Sequence, residues 1–376
     1  MNYDVIVIGS GVVGSALAHS VAREGLSVAV LDAKSEPPNS YRHLSINKKS
    51  RQFLEQIEVW QNIKNSAFPY DQIKVWDQEG TGFIDFDATE AGLSNLGYIV
   101  REGDIQKALI DSFKKSDIQA FWDHSLEGIN ITDDRIICET NKESFEGKII
   151  IGSDGVNSQV RNLSKISSRS WSYNQTAIVA NFESSAKDNC IRQTFTSIGP
   201  LALLPMNSKE MTMIWSIDDE YAYKFLAMTD LEFTSEVKKY FGEHIEDLKL
   251  SSKRQNFPLQ HLSAKTFAKN RVFLVGDSAH HIHPLAGLGL NAGIGDVDCL
   301  SELIKSNGLD QINKITSSYN RSRIPVNLGL AASMEAFKRG FGQKNIWVRL
   351  LRNSAFNITN ELTPLKKKFM KLATEL

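Results

Sequence analysis

The feature that most constrains the fold is a glycine motif near the start of the chain. The segment Gly9–Gly14 reads G-S-G-V-V-G and follows an apolar, strand-like run, Val5–Ile8. A helical pattern then extends to Glu24, and a second apolar run ends on Asp32. A dinucleotide-binding βαβ unit requires this context, a glycine motif between a strand and a helix with an acidic residue about 20 positions further on. The pattern therefore predicts a parallel α/β sheet that binds a dinucleotide.

The residues of this unit have separate predicted roles. Gly9 makes the tight turn, Gly11 lets the backbone approach a pyrophosphate, and Gly14 allows the helix to pack closely on the strand. Asp32 is expected to accept hydrogen bonds from ribose hydroxyls, and its charge disfavours a 2′-phosphate.

A second stretch, Val272–Asn291, has the composition of the other half of such a site. Its first four residues suit a strand that is buried on both faces. The pair Gly276-Asp277 then places a carboxylate at the carboxyl end of the strand, where open α/β sheets bind ligands. From Leu290 the apolar spacing becomes helical, so the N–H groups of a helix start point into the same space. A helix N-terminus stabilises negative charge, so this stretch can bind part of a dinucleotide. The two stretches are therefore expected to meet around one dinucleotide.

Composition limits the partners and the compartment. A chain of 376 residues is expected to hold about two domains. A formal net charge of -1 argues against nucleic acid as a partner. The three cysteines, Cys138, Cys190 and Cys299, are far apart, which excludes a disulfide framework and is typical of a reducing cytoplasm. We find no secretory signal and no run of about 18 apolar residues, and therefore expect a cytoplasmic protein.

The middle of the chain has a strand pattern of another kind. Short alternating runs within Ile73–Phe86, and more of them between residues 176 and 217, are typical of an antiparallel sheet outside the first sheet. Asp104–Phe113 is predicted to be a helix with Asp104 as its cap. From Asp296 onward the pattern is mostly helical.

Three motifs in this order resemble the flavin-dependent aromatic hydroxylases of the p-hydroxybenzoate hydroxylase class. They are the Gly9–Gly14 motif, Gly152–Gly155 with Ser158 and Arg161, and Gly276-Asp277 with the loop after it. Within that class, the segment H-I-H-P-L-A-G at 281–287, followed by G-L-N at 289–291, is most similar to the ubiquinone-biosynthesis hydroxylases. Gly199–Pro205 and Tyr173–Gln175 are similar to the same group, and the resemblance covers essentially the whole chain.

This resemblance implies an α/β fold with a Rossmann-like FAD-binding domain, an inserted antiparallel-sheet substrate domain and a helical C-terminus. The predicted FAD-binding domain is made of residues 1–72, 99–172 and 264–325. The substrate domain is predicted at 73–98 and 173–263, and the C-terminal helical segment at 326–376.

The resemblance also assigns the cofactor contacts residue by residue. Asp32 takes the adenosine ribose, Gln106 lies beside the ribityl chain, and Asp277 holds ribityl and pyrophosphate groups. Asp154 belongs to a motif that contacts FAD and, in the family, NAD(P)H. Residues 284–287 line the isoalloxazine ring, and residues 289–291 offer backbone N–H groups to its pyrimidine end. The full predicted set is Gly9, Gly11, Val12, Val13, Gly14, Asp32, Gln106, Asp154, Asp277, Pro284, Ala286, Gly287, Gly289, Leu290 and Asn291.

The chemistry implied by the resemblance is monooxygenation. NAD(P)H or another donor reduces FAD, O2 adds to the flavin to give a hydroperoxide at its C4a carbon, and a polyprenylated phenol on the way to ubiquinone takes up the distal oxygen. His283 and Pro284 are the predicted catalytic residues, with His283 as a group that assists proton transfer from the phenol. Two alternatives stay open, a flavin reductase or dehydrogenase of the prenyl-chain reductase type and a non-catalytic scaffold in a biosynthetic complex.

Three histidines, His280, His281 and His283, lie in one turn and raise the question of a metal. They lack helical i, i+4 spacing, and no cysteine or carboxylate is placed to complete a tetrahedral site. We therefore expect no metal and interpret them as flavin-loop residues that pack or form hydrogen bonds near the ring.

Three positions depart from the family pattern, and one of them is Leu288, which stands where the family typically has glutamine. Ser40 and Gly103 stand where the family usually has arginine, with Arg42 and Arg101 close by in the sequence. These changes predict either weaker retention of FAD or compensation by the two neighbouring arginines.

The end of the chain has the pattern of a short basic amphipathic helix. Leu365, Phe369 and Leu372 share one face, with lysines around them. Two interpretations stay open, a helix docked on the core with solvated lysines and a helix that makes peripheral contact with the inner face of a membrane.

Overall fold

The structure, a computed structural model, describes residues 1–37, 40–185, 188–245, 247–283, 287–342, 359–362, 366–367 and 370–371. In chain order the strands are β1 (Asn2–Ile8), β2 (Val28–Asp32), β3 (His43–Ile46), β4 (Phe68–Tyr70), β5 (Gln72–Asp77), β6 (Phe83–Asp87), β7 (Gly97–Arg101), β8 (Ile118–Trp122), β9 (Leu126–Ile131), β10 (Ile136–Thr140), β11 (Ser144–Gly152), β12 (Ser168–Ser184), β13 (Cys190–Thr196), β14 (Gly199–Pro205), β15 (Glu210–Asp218), β16 (Leu248–Leu250), β17 (Gln255–Ala264), β18 (Ala268–Lys269), β19 (Val272–Leu274) and β20 (His280–His281). The α-helices are α1 (Val12–Ala22), α2 (Lys48–Gln56), α3 (Trp60–Ile63), α4 (Glu102–Phe113), α5 (Gln159–Leu163), α6 (Asp219–Ala227), α7 (Asp230–Phe241), α8 (Leu288–Asn307) and α9 (Ile312–Gly342).

The first sheet contains the glycine motif and has the order β18-β19-β11-β1-β2-β8, with β9 and β10 attached beside β11. β1 pairs in parallel with both β2 and β11, and β11 pairs in parallel with β19. Parallel strands covered on both faces are continuously apolar. Val5, Ile6 and Val7 of β1 are accordingly fully buried, in one core with α1 and α8.

The second sheet is mostly antiparallel, in the order β20-β17-β12-β15-β14-β13-β5-β6, with β16 beside β12. The short strand β20 pairs with β17, and it therefore connects the second sheet to the segment that follows β19. A third sheet, β3-β7-β4, has three strands. The predicted fold class is confirmed by this mixture of a parallel sheet, an antiparallel sheet and a helical C-terminal part. The predicted domain boundaries stay a prediction.

Among the residues that the structure describes, no helix is both long enough and apolar enough to cross a membrane.

Candidate functional site

The carboxyl ends of four parallel strands lie side by side at one edge of the first sheet. Ile8 of β1 is in register with Leu31 of β2 and with Gly152 of β11. Gly152 is in turn in register with Leu274 of β19. The residues that follow these strands therefore lie at the same edge, as the two half-sites require. Among them are the predicted residues Asp32, Asp154 and Asp277.

The two predicted half-sites contact each other directly through Val13. A Cβ atom built on Gly276 would lie 3.3 Å from the Val13 methyl groups, and one built on Gly293 of α8 would lie 2.8 Å from them. The turn after β19 and the start of α8 therefore pack against α1 with no room for another side chain.

The three glycines of the motif differ in what surrounds them. Gly9 has φ of +100°, and a Cβ there would lie 2.5 Å from the Ser153 carbonyl oxygen. A Cβ on Gly14 would overlap the Gly9 carbonyl oxygen. A Cβ on Gly11 would meet no described atom within 4 Å. Gly9 and Gly14 are therefore required by the fold itself, whereas Gly11 leaves open space in front of α1.

Asp32 holds the glycine loop and keeps a free acceptor position. Its Oδ2 accepts hydrogen bonds from the Ser10 N–H at 2.8 Å and the Ser10 hydroxyl at 2.6 Å, and its Oδ1 accepts one from the Lys34 N–H at 2.9 Å. A carboxylate has about four acceptor positions, so one remains for a ribose hydroxyl.

Gln106 also contacts the glycine loop. Its side-chain amide is buried and donates hydrogen bonds to the Ser10 carbonyl and, at 3.3 Å, to the Ser15 hydroxyl. The structure thus places the predicted Gln106 behind the loop, where it positions the loop backbone.

Asp154 lies at the start of α5, with one carboxylate oxygen in use. Its Oδ2 accepts hydrogen bonds from the N–H groups of Gln159 at 2.7 Å and Val160 at 3.1 Å. Its Oδ1 is buried and has no hydrogen-bond partner among the described residues. Burial raises the pKa of this carboxyl, in opposition to the Ser158 side chain and to the backbone hydrogen bonds. The orphaned oxygen is an available acceptor for a ligand next to the glycine loop.

Arg161, which the sequence motif included without a role, connects two parts of the site. Its guanidinium is buried and donates to the Ser278 carbonyl at 2.9 Å and to the Val156 carbonyl at 2.8 Å. The loop after β11 is thereby tied to the turn that carries Asp277.

Asp277 forms an ion pair with His281. Its Oδ2 lies 2.9 Å from His281 Nδ1, and its side chain is half exposed. Burial opposes ionisation of Asp277, but the hydrogen bond from His281 and the charges of His281, His280 and Arg42 lower its pKa. Burial likewise opposes protonation of His281, but Asp277 outweighs it and raises the pKa of His281. Asp277 is therefore held as a carboxylate with an exposed face toward the site.

A buried charge network that sequence reasoning missed lies beneath this turn. Asp296 of α8 is fully buried and accepts hydrogen bonds from the Gly276 N–H at 3.0 Å and from Arg323 Nε at 2.7 Å. His280 Nε2 lies 2.5 Å from the same carboxylate. Burial opposes ionisation of Asp296, but His280 and Arg323 lower its pKa. The network fixes the turn that presents Asp277.

The N-terminus of α8 points at the same edge. Gly287 precedes the helix with φ of +61°, and no described side chain caps the helix or places an acid in its first turn. The side chain of Asn291 donates to the Ser45 carbonyl at 2.8 Å and accepts from the Asn47 N–H at 3.0 Å. The predicted Gly289 and Leu290 lie in this first turn, and free N–H groups there favour an anionic or electron-rich ligand. The predicted Pro284 and Ala286 lie outside the described residues.

The three neighbouring histidines point to three different partners. His280 contacts Asp296, His281 contacts Asp277, and His283 Nε2 lies 3.3 Å from Gln175 Oε1. Within the described ranges, no three potential metal ligands converge on one point.

The two positions without the expected arginine are neighbours in space. The Gly103 N–H donates to the Ser40 carbonyl at 3.1 Å. Arg42 forms an ion pair with Glu102 at 2.9 Å, and Arg101 donates from Nε to Asp104 at 2.9 Å. Arg42 also lowers the pKa of Asp277, so its charge acts on the turn that follows β19.

The C-terminal segment contacts the turn that follows β6 of the second sheet. Lys366 is almost fully buried and lies 2.7 Å from Glu90, and Met370 is buried. These contacts agree with the docked interpretation for the part of the segment that is described. Leu365, Phe369 and Leu372 lie outside the described residues.

Four features of this edge suit a dinucleotide. They are the space in front of Gly11, the N-termini of α1 and α8, the remaining acceptor position of Asp32, and the Asp154 oxygen that has no described partner. No described side chain caps either of these two helices. The fold and the site thus define a dinucleotide-binding protein with two half-sites at one sheet edge.

Comparison with known proteins identifies the dinucleotide and the family. Residues 2–328 match the family described as FAD binding domain. The ubiquinone biosynthesis monooxygenase COQ6 of Xenopus tropicalis is 30% identical over 99% of this chain and 93% of its own length. The ubiquinone hydroxylase UbiL of Rhodospirillum rubrum is 28% identical over 98% of this chain and 89% of its own. The chain therefore belongs to the FAD-binding monooxygenase family that includes the ubiquinone biosynthesis monooxygenases.

A solved structure supports the same fold. The p-nitrophenol 4-monooxygenase PnpA of Pseudomonas putida superposes with a TM-score of 0.83, covering 98% of this chain and 97% of its own, at 17% identity. The predicted family resemblance, the FAD cofactor and the monooxygenase class are confirmed.

Proposed function

We propose that this FAD-dependent monooxygenase hydroxylates the aromatic ring of a polyprenylated phenol in ubiquinone biosynthesis. The observation that carries the proposal is the similarity over 99% of the chain to a ubiquinone biosynthesis monooxygenase, combined with an edge of the first sheet that suits a dinucleotide. The aromatic substrate and O2 are the partners that this chemistry requires.

The residues that would hold FAD follow from the geometry of the edge. The backbone at Gly11 and the N-terminus of α1 would bind the pyrophosphate, and Asp32 would accept a ribose hydroxyl. Asp277 would accept hydrogen bonds from the ribityl hydroxyls, and the N-terminus of α8 would face the pyrimidine end of the ring.

FAD, when bound and reduced, supplies the activation of O2 that insertion of one oxygen atom into an aromatic ring requires. The protein contributes orientation, exclusion of water and control of one proton. His283 is buried against β12 of the second sheet, and it is the group that would accept the phenol proton. Loss of that proton makes the aromatic ring of the phenol more electron-rich, and the ring is therefore more easily hydroxylated.

NAD(P)H is the proposed electron donor, and Asp154 is the residue of the flavin edge that the family resemblance connects with it. Arg42 is the proposed replacement for the missing arginines.

A polyprenylated substrate resides in membranes, so we propose that the enzyme works in the cytoplasm at the inner face of a membrane. Deletion of residues 364–376 should then lower binding to anionic liposomes, and unchanged binding would argue against a role for this segment.

Incubation under ¹⁸O2 tests the proposed reaction. With a polyprenylated phenol and NAD(P)H, the product should carry one ¹⁸O atom on the ring. A reduced product without ¹⁸O would support a reductase of the same fold instead, and no reaction by the yellow, NAD(P)H-reducible protein would argue against this substrate class.

A further inference from the structure

Strand β12 contains an irregularity that turns two side chains toward the flavin loop. In its pairing with β17 the register shifts between Ser172 and Gln175, and Asn174 in the shift has φ of +52°. Bulges of this kind re-aim side chains beside active sites. Here Tyr173 and Gln175 are both buried, and both contact His283.

The orientation of the Gln175 amide is determined by Asp218. Gln175 Nε2 donates to Asp218 Oδ1 at 3.0 Å. A carboxylate can only accept hydrogen bonds, so the amide nitrogen must face Asp218 and the amide oxygen must face the other way. That oxygen lies 3.3 Å from His283 Nε2.

The same reasoning fixes the proton on His283. Because Gln175 Oε1 can only accept, His283 Nε2 must carry the hydrogen. In the neutral ring the lone pair then belongs to Nδ1. Asp218 precedes α6, and its carboxylate accepts no capping hydrogen bond from that helix in the described part of the chain. It is therefore available to orient Gln175.

We propose that Asp218 and Gln175 are positioning residues that hold His283 as the Nε2–H tautomer, so that Nδ1 is the atom that accepts the phenol proton. The proton role rests on the proposed function, whereas the tautomer assignment does not. In the proton transfer the phenol O–H bond breaks and an Nδ1–H bond forms. The products are a phenolate and an imidazolium that still donates from Nε2 to Gln175.

The other ionisable groups that the structure describes around His283 and Tyr173 lie on β12, β17, β20 and α9. Tyr173 of β12 lies edge-on at 5.2 Å, and burial, helped by Glu335 of α9, raises its pKa to about 12, which keeps it neutral. His261 of β17 contacts Tyr173 at 6.5 Å, and burial lowers its pKa. His281 of β20 is occupied by Asp277. Tyr173 therefore adds no charge beside the imidazole ring.

Nitrogen NMR on the FAD-bound protein tests the tautomer directly. Protein labelled with ¹⁵N-histidine is observed at a pH where His283 is neutral, and its signals are assigned with His283→Asn. The proposal expects a pyrrole-type Nε2 and a pyridine-type Nδ1. In Gln175→Leu and in the more conservative Asp218→Asn, the two tautomers should become mixed.

Thr176 and Asp219 provide a matched control. The Thr176 hydroxyl donates to Asp219 at 2.7 Å, one residue along from the proposed pair on both elements. Thr176→Val should therefore leave the His283 signals unchanged. A wild-type His283 with the proton on Nδ1, or tautomer signals that do not respond to Gln175→Leu and Asp218→Asn, would overturn the proposal.

Turnover separates the tautomer from the substrate assignment. Gln175→Leu should lower kcat by about 100-fold. Part of the lost activity should return at high pH, because the phenol is then already ionised. The affinity for FAD should not change. If the tautomer is as expected but no phenol is hydroxylated, the proposed substrate fails while the positioning role stands. An unchanged kcat in Gln175→Leu would contradict the proton role.

Discussion

The carboxylate of Asp296 accepts a hydrogen bond from the backbone N–H of Gly276 at 3.0 Å, which ties helix α8 to the turn that presents Asp277. Helix α8 begins at Leu288 and β19 ends at Leu274, and both ends lie at the sheet edge that is proposed to hold FAD. One buried side chain therefore sets the separation of two parts of the cofactor site. Its charge is balanced by the Arg323 guanidinium, and His280 Nε2 lies 2.5 Å from the same carboxylate.

Asp296→Asn should destabilise the protein and weaken FAD binding together. Removing one partner of a buried ion pair costs about 3–5 kcal/mol, because Arg323 keeps an uncompensated charge. Urea unfolding of the FAD-free protein and titration with FAD measure the two effects. Asp310→Asn, at an exposed position beyond α8, is the control. A variant with normal stability and normal FAD affinity would contradict the role given to Asp296.

Alanine at the three motif glycines should separate folding from binding. Gly11→Ala enters open space, so the FAD-free protein should keep its stability while FAD affinity falls at least about tenfold, since the methyl group occupies the pyrophosphate position. Gly9→Ala and Gly14→Ala should instead destabilise the FAD-free protein, because each Cβ meets backbone. Thermal unfolding with and without FAD distinguishes these outcomes. Equal effects at all three positions would contradict the assignment.

The ion pair between Asp277 and His281 should make stability depend on pH. Since the pKa of His281 is raised from 6.5, its contribution is complete below pH 6.5 and is lost as the pH rises through the raised value. Since the pKa of Asp277 is lowered from 3.8, its contribution is complete above pH 3.8 and is lost in stronger acid. The pair therefore contributes fully between these limits, by about 1 kcal/mol or less because Asp277 is half exposed.

The difference in unfolding free energy between the wild type and His281→Gln isolates this pair. It should be positive at pH 5.5 and should shrink as the pH rises above 6.5 and through the raised pKa of His281. Subtraction is necessary because burial lowers the pKa values of His19, His43 and His261, whose contributions have the opposite sign. A difference that does not change with pH would argue against the ion pair.

Arg42→Ala should weaken FAD binding by about tenfold if this residue replaces the missing arginines. The Arg42 carbonyl accepts a hydrogen bond from the N–H of Glu102, the residue before Gly103, and Arg42 lowers the pKa of Asp277, so its charge reaches the proposed FAD-binding edge. Arg23→Ala is a matched control, because Arg23 forms a surface ion pair with Glu58 at 3.0 Å elsewhere on the molecule. Fluorescence titration with FAD measures both variants, and equal affinities would exclude compensation by Arg42.

Local sequence patterns were sufficient to predict the parallel sheet and its edge. The motif from Gly9 to Gly14 with Asp32 is contiguous, and its geometry depends on neighbours within about 25 residues. Helix α4 was also predicted, but it begins at Glu102 because Asp104, the expected cap, lies in the first turn and binds Arg101.

The missed residues depend on partners far away in the chain. Asp296 reads as one acid in a helix, and only the fold brings it to Gly276, 20 residues earlier, and to Arg323. Gln175 and His283 are 108 residues apart, and their contact depends on a strand irregularity that no local spacing indicates. The available signal in the sequence was the asparagine at position 174, because asparagine tolerates a positive φ better than most residues.

The most direct test of the account is the binding of FAD to the purified protein and to Asp277→Ala. The account predicts a yellow wild type with one FAD per chain, and a variant that is folded but largely free of flavin. Both follow if the strand ends at Gly11 and Asp277 hold one cofactor. A colourless wild-type protein that cannot be reconstituted with FAD would contradict it, as would an Asp277→Ala variant that retains FAD with wild-type affinity.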